Sequence, residues 1–60
     1  MFVEIITRSN EKVSINISNI ISITPYRKGC IIFDVAGVDY STKETYESVM
    51  SRISRLVTLN

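Results

Sequence analysis

The stretch YESVMSRISRLV, residues 46–57, decides the fold of this 60-residue chain. Its apolar residues recur at intervals of three and four, so they form one stripe along a helix, and the opposite face is charged or carries serine. No other stretch has this period. The pattern therefore predicts one C-terminal helix with a single apolar face, made of Tyr46, Val49, Met50, Ile53, Leu56 and Val57.

The start of this helix has two candidate caps. Ser41 followed by Glu44 matches a capping box, whereas Thr45 stands directly before the apolar stripe. We favour Thr45, because the preceding strand can then continue to residue 43 and the helix begins where its stripe begins. No Gly or Pro follows Gly37, so we expect the helix to fray over residues 58–60.

Upstream of the helix, the chain consists of short runs rich in Ile, Val, Phe and Thr, which suit a pleated sheet. Pro25 should end the third strand because it has no N–H to donate, and Gly29 should take a positive φ in the next loop. The predicted fold class is α+β, a five-stranded antiparallel sheet with one C-terminal helix packed on one face. The five strands are expected at residues 2–8, 12–17, 20–24, 30–35 and 38–42 or 38–43.

Length and composition predict one small domain, residues 1–60, with a marginal core, because chains of this size bury only about 60% of their unfolded surface. Cys30 is the single cysteine and histidine is absent, so we expect no internal disulfide, no metal and no cofactor. A net charge of +1 makes nucleic acid an unfavoured partner. The sequence has neither a long apolar run nor a signal-peptide pattern, which predicts a cytoplasmic protein without a membrane span.

Apolar surface exceeds what one helix can cover. Strand alternation assigns Phe2, Ile6, Cys30 and Ile32 to the sheet face away from the helix, or to an edge of the sheet. Exposed apolar patches mark interfaces, so we predict that these four residues form a dimer or partner face. A homodimer would bury the patch with one self-complementary surface. Strand-to-strand pairing across the dimer is the alternative, because an open sheet has edges.

Polar residues give two further candidate sites. Tyr26, Arg27 and Lys28 are predicted to form a protein-binding loop, because Tyr and Arg are enriched at binding hot spots; a merely solvated loop is the alternative. The alternative to a protein partner is a nucleic acid bound through the basic residues Arg8, Arg27, Lys28, Arg52 and Arg55.

Catalysis is not expected. Cys30 as a nucleophile would need a base, and the chain has no histidine to serve. Glu44 and Glu47 suit the positive end of the helix dipole, and Asp39 suits a turn, so these acids need no catalytic explanation. The sequence therefore predicts a protein that is not an enzyme.

The order of parts resembles a known family. A strand ending in Asn precedes an Ile-Ile-x-Ile strand, and a Gly-x-x-Tyr strand leads into Lys-Glu-Thr and the helix. This order resembles the FlbD-type family, associated with flagella and swarming motility, and related short phage proteins. Ser9-Asn10-Glu11 stands where the family has a Leu-Asn-Gly turn. The matching positions are Val13, Ile15, Asn16, Ile20, Ile23, Gly37, Tyr40, Lys43, Glu44, Thr45, Glu47, Val49 and Ile53.

The resemblance implies a small cytoplasmic interaction protein and supplies no catalytic residues. The expected function is accordingly a non-enzymatic protein-binding module, bacterial or phage-encoded, that acts as a homodimer. It would modulate a motility-associated factor or, in a phage, inhibit a host or defence protein.

Overall fold

A computed structural model describes residues 1–58, and its α+β class and C-terminal helix agree with the sequence. The strands form two antiparallel sheets, β1-β2 and β3-β4-β5, and the helix follows the last strand. The elements in chain order are β1 (Phe2–Ile6), β2 (Lys12–Asn16), a 3-10 turn (Ile17–Asn19), β3 (Ile20–Tyr26), β4 (Gly29–Asp34), β5 (Asp39–Thr42) and α1 (Tyr46–Thr58).

The prediction of a single five-stranded sheet is wrong. The two sheets touch at one antiparallel bridge, between Thr7 and Thr42. Beside it, the Arg8 N–H donates to the Ser41 carbonyl at 2.9 Å. A continuous sheet would need this contact between β1 and β5 to extend along both strands.

Side chains occupy the edge of β1 that a longer ladder would use. The Glu44 carboxylate accepts the Ile6 N–H at 3.0 Å, and Arg52 donates to the Glu4 carbonyl at 2.7 Å. Glu44 and Arg52 also form an ion pair with each other. We call these two residues the β1 brace. Because the brace satisfies backbone groups of β1, this edge is closed to β5 and the sheet divides there.

The helix begins as predicted. The Thr45 hydroxyl accepts the Ser48 N–H at 3.1 Å, and the Thr45 carbonyl accepts the Val49 N–H at 3.0 Å, so Thr45 is the N-cap. The helix continues to Thr58. The fraying predicted for residues 59 and 60 lies outside the described residues.

The apolar stripe of the helix is narrower than predicted. Val49 is fully buried, whereas Met50 and Val57 are exposed. Three further stripe residues pack against the core: Tyr46, Ile53 and Leu56. The buried apolar core comprises six residues from β1, β2, β4 and the helix, namely Val3, Ile5, Ile15, Cys30, Ile32 and Val49.

The faces of β4 are the reverse of those predicted. Cys30 and Ile32 are both 0% exposed, so their assignment to an uncovered face is wrong. On the opposite face, Ile31 is half-buried and Phe33 is exposed. Ile32 lies between Ile23 of β3 and Tyr40 of β5, both of which pack against the core. β4 is apolar on both faces, so alternation alone could not show which face the helix covers.

Strand β3 does not end at Pro25. Pro25 pairs with Cys30, and Tyr26 pairs with Gly29 across a two-residue turn. A two-residue hairpin is closed by a hydrogen-bonded pair, so the next pair back needs no bond from the nitrogen of Pro25. At its other end β3 has a bulge between Ile20 and Ser22.

The positive φ in this turn belongs to Arg27, at 54°, and the prediction of a positive φ for Gly29 is wrong. Gly29 is required for a different reason. A Cβ at this position would overlap the Thr42 carbonyl oxygen and lie 2.9 Å from the Lys43 Cα. The β3–β4 turn is thus packed directly against the end of β5.

Candidate protein-binding site

Arg8 joins two distant parts of the chain at one end of the molecule. Its Nε donates to the Ser41 hydroxyl at 2.9 Å, and its Nη2 donates to the Tyr26 carbonyl at 3.4 Å. Its Cζ lies 6.0 Å from the centre of the Tyr26 ring. Arg8 follows β1, whereas Tyr26 ends β3, so sequence spacing gave no sign of this contact.

Arg27 lies over the same ring, with its Cζ 5.3 Å from the ring centre. An arginine within about 6 Å of an aromatic centre gains roughly 0.5–1 kcal/mol at an exposed site. Two such contacts restrain the Tyr26 ring, which remains 40% exposed. A restrained, partly exposed aromatic ring loses little entropy when it binds a partner.

Two lysines belong to the backbone segments beside the β3–β4 turn. Lys28 is the second turn residue, and the Lys43 backbone lies against Gly29. We define the basic tip as Arg8, Tyr26, Arg27, Lys28 and Lys43. It holds four of the seven basic residues of the chain, and none of its cations forms an ion pair with an acid in residues 1–58. The structure therefore brings the predicted loop of Tyr26, Arg27 and Lys28 together with Arg8.

A cleft of about 390 Å³ adjoins the basic tip. Its lining includes Arg8, which belongs to the tip, and Ser41, whose hydroxyl accepts a hydrogen bond from Arg8. The turn between β1 and β2 forms one wall and strand β5 forms the other. We call it the tip cleft; it is lined by Thr7, Arg8, Ser9, Glu11, Val13, Asp39, Tyr40 and Ser41. Its wall of mixed polar and apolar side chains suits a peptide segment better than a small apolar ligand.

The five candidate nucleic-acid contacts do not form one surface. Arg8, Arg27 and Lys28 belong to the basic tip, whereas Arg52 belongs to the β1 brace. Hydrogen bonding to Arg52 lowers the pKa of Glu44, and the Ile6 N–H lowers it further. The hydrogen bond to Glu44 in turn raises the pKa of Arg52. Arg52 is therefore committed to a structural ion pair.

Arg55 lies exposed on α1, one turn beyond Arg52. No interaction in residues 1–58 links it to Tyr26, Arg27 or Lys28. It is therefore a useful reference cation outside the basic tip.

Cys30 is a buried core residue. Its Sγ donates to the Glu44 carbonyl at 3.6 Å, and burial raises the pKa of its thiol, with the Glu44 charge adding to the rise. A raised pKa disfavours the thiolate, which is the nucleophilic form.

The acidic residue Asp34 organises the turn between β4 and β5. Its carboxylate accepts the N–H groups of Ala36 and Val38 at 3.0 and 3.1 Å, and the Tyr40 hydroxyl at 3.1 Å. Burial raises the pKa of Tyr40, and its hydrogen bond to Asp34 raises it further. Through these contacts Asp34 stabilises the turn.

Of the four predicted interface residues, two are accessible. Phe2 is 61% and Ile6 is 42% exposed, and both lie on the outer face of β1. Cys30 and Ile32 lie in the core instead, as described above. The sequence did not predict a second group of exposed apolar residues at the end of the β3-β4-β5 sheet remote from the basic tip, which comprises Ile21, Phe33, Val35 and Val38.

The chain carries no assembled metal site within the described residues: residues 1–58 contain no group of three or more His, Cys, Asp or Glu side chains placed to hold an ion. Over the same range, no helix is long and apolar enough to cross a membrane. Comparison with models of protein families, with curated proteins and with solved structures finds no match for this chain.

Proposed function

We propose that this chain is a small, non-enzymatic protein-binding module that acts as a homodimer and recognises an acidic segment of its partner through the basic tip. The observation that carries the proposal is the pair of arginines, Arg8 and Arg27, that lie against the Tyr26 ring without forming an ion pair with an acid in residues 1–58. Tyr and Arg supply much of the binding energy at protein interfaces, and unpaired cations favour an acidic partner.

Charge distribution supports an oriented encounter. With four of the seven basic residues at the tip, the rest of the chain holds three basic and six acidic side chains. The basic tip therefore has an excess of basic side chains and the rest of the chain an excess of acidic ones, two of which, Glu11 and Asp39, line the tip cleft. Such asymmetry steers an acidic partner toward the tip and away from the remaining surface.

The tip cleft gives the proposed partner segment a place to lie. Arg8 connects the cleft to the tip, so a segment bound beside β5 would meet the exposed ring of Tyr26. The Tyr40 side chain of β5 lines the tip cleft and would contact side chains of the bound segment.

Two biological settings fit this proposal. The resemblance to the FlbD-type family favours a motility-associated partner in a bacterium. A phage-encoded inhibitor of a host or defence protein fits the related short phage proteins and the small size of the chain. In both settings the module would act in the cytoplasm.

The second candidate function is nucleic-acid binding. It is favoured by one observation, namely that Tyr26 offers an aromatic ring among Arg8, Arg27 and Lys28, as single-strand binding requires. The separation of Arg52 and Arg55 from this cluster counts against it. Binding that weakens steeply with salt and is abolished by nuclease treatment of the sample would favour this candidate.

The test uses charge reversal at matched positions. Arg27→Glu alters the basic tip, whereas Arg55→Glu makes the same charge change on an exposed part of the helix. We would immobilise the wild type and both variants and expose them to nuclease-treated bacterial lysate. We expect the wild type and R55E to retain the same protein and R27E to lose it. Equal retention by R27E, or no protein retained by the wild type, would overturn the proposal.

A further inference from the structure

We propose that the outer edge of β2 pairs antiparallel with the same edge of a second copy of this chain, about a two-fold axis at Ser14. The inference rests on the homodimer part of the proposed function and names its interface. It follows from the way in which the other strand edges are closed.

Three of the four sheet edges are obstructed. At β1, the brace residues Glu44 and Arg52 bind the backbone of Ile6 and Glu4. At β5, the Ser41 carbonyl already accepts a hydrogen bond from the Arg8 N–H. Each of these contacts uses a group that a further strand would need.

The outer edge of β3 is obstructed by its sequence. The bulge at Ile21 interrupts the regular spacing of the backbone, and Pro25 has no N–H to donate. Because Pro25 occupies a position that does not bond to β4, its nitrogen faces the outer edge. A strand added there would meet a missing donor and a bulge, both of which natural proteins use to block pairing.

The outer edge of β2 is open over most of its length. The Ile17 N–H donates to the Met1 carbonyl at 2.9 Å, and the Thr7 N–H donates to the Glu11 carbonyl at 2.9 Å. Both bonds involve odd-numbered residues on the β2 side, so the odd-numbered residues of β2 direct their N–H and C=O groups toward β1. The N–H and C=O groups of Lys12 and Ser14 and the N–H of Asn16 therefore point outward, where no strand of residues 1–58 pairs with them. The Asn16 carbonyl is engaged, because Asn16 is the N-cap of the 3-10 turn.

The edge is complementary to itself. With the two-fold axis at Ser14, Lys12 faces Asn16 of the other copy, and Val13 faces Ile15. The Ser14 pair would exchange two hydrogen bonds, and each Asn16 N–H would donate to the Lys12 carbonyl of the other copy. The strand carries one charge, at one end, so the two lysines would lie about 13 Å apart along the strands and would not repel closely.

A second copy is favoured over a foreign strand for two reasons. The alternation of β2 places half-buried Val13 beside Ile15 of the other copy, which continues the apolar layer of each sheet across the axis. In addition, six buried apolar residues are a small core for a chain of 60 residues, and self-association is a common way to stabilise such a chain.

The test exploits the predicted contact between Lys12 and Asn16. Asn16→Lys places like charges opposite each other at two symmetric positions, whereas Asn16→Glu places opposite charges there. Both variants lose the same Asn16 contact to the Ser18 N–H, so they are matched for that local effect. By sedimentation velocity over a dilution series, we expect the dimer dissociation constant to rise roughly ten-fold in N16K and to fall in N16E.

Ser14→Pro gives a second test. It removes the central outward N–H while leaving the hydrogen bonds from β2 to β1, so we expect a folded monomer by circular dichroism and sedimentation. A monomeric wild type would contradict the homodimer itself. A dimeric wild type whose N16K, N16E and S14P variants dimerise equally well would contradict only this interface. Loss of dimer in S14P with partner capture retained would leave the basic tip as the partner site.

Discussion

Substitution of Glu44 by Gln should destabilise the fold, because it weakens the β1 brace. Gln retains the size of Glu but lacks the charge that binds Arg52. A hydrogen bond to a charged group contributes about 1.5–3 kcal/mol when well buried. The side chains of Arg52 and Glu44 are 35% and 23% exposed, so solvent screening weakens the pair. We therefore expect E44Q to lower the free energy of unfolding by about 1–2 kcal/mol at neutral pH.

This loss is large for so small a domain, whose total stability should be about 3–9 kcal/mol at 0.05–0.15 kcal/mol per residue. Urea denaturation followed by circular dichroism would measure it, at one fixed protein concentration because dimerisation adds to apparent stability. Arg52→Gln and the double variant complete a mutant cycle. The double variant should be less destabilised than the sum of the single effects, because the two side chains act as a pair.

The effect of E44Q should also depend on pH. The pKa of Glu44 is lowered in the fold from its ordinary value of 4.5, chiefly by its hydrogen bond with Arg52. A lowered pKa contributes stability that is present above the ordinary value and is lost as the pH falls through the folded value. The difference between wild type and E44Q should therefore shrink in acid. Equal stability of the two proteins at neutral pH, or a difference that persists unchanged in acid, would refute the brace.

Three further predictions concern the core, the turns and the thiol. Ile32→Ala should cost about 2–5 kcal/mol in urea denaturation and Ile32→Val about 0.5–1.5, because the side chain is buried; a negligible effect of I32A would contradict the assigned face. Gly29→Ala should lower the melting temperature more than Gly37→Ala, because a Cβ at Gly29 overlaps the Thr42 carbonyl whereas Gly37 has only its positive φ of 83° to satisfy; the reverse order would contradict the packing of the turn. Cys30 should react with a thiol reagent far more slowly in the native protein than in urea, because burial shields it and raises its pKa; equal rates would show that the thiol is accessible.

The local signals in the sequence predicted the helix well. Thr45 is a strong N-cap residue, and the stripe that follows it has a clear helical period, so the start at Tyr46 could be predicted from neighbouring residues alone. The hairpin pattern of residues 2–17 was equally local. Its alternation placed Ile15 in the core.

Non-local choices could not be predicted in the same way. Cys30, Ile31, Ile32 and Phe33 place apolar side chains on both faces of β4, and only the packing of the whole fold decides which face is buried. The division into two sheets depends on side chains that reach β1 from far along the chain, notably Arg52. No periodic pattern in the sequence predicts contacts between residues so far apart in the chain.

The candidate site likewise combines neighbouring residues, which the sequence grouped correctly, with one distant residue, which it did not. Tyr26, Arg27 and Lys28 are adjacent in the chain, so their shared loop was evident. Arg8 joins them only because the bridge of Thr7 to Thr42 brings the end of β1 beside the turn. Of the predicted apolar face, Phe2 and Ile6 are exposed as expected, because their strand alternates in the predicted sense.

The central claim is that the basic tip recognises acidic protein segments. It is tested most directly by two NMR titrations of the ¹⁵N-labelled protein, one with an oligoglutamate peptide and one with an oligothymidylate of matched length. We predict that the peptide shifts the backbone amide signals of Arg8, Tyr26, Arg27, Lys28 and Ser41 and leaves that of Arg55 unchanged. Peptide-induced shifts centred on Arg55, or tip shifts produced by the oligothymidylate and not by the peptide, would contradict the claim.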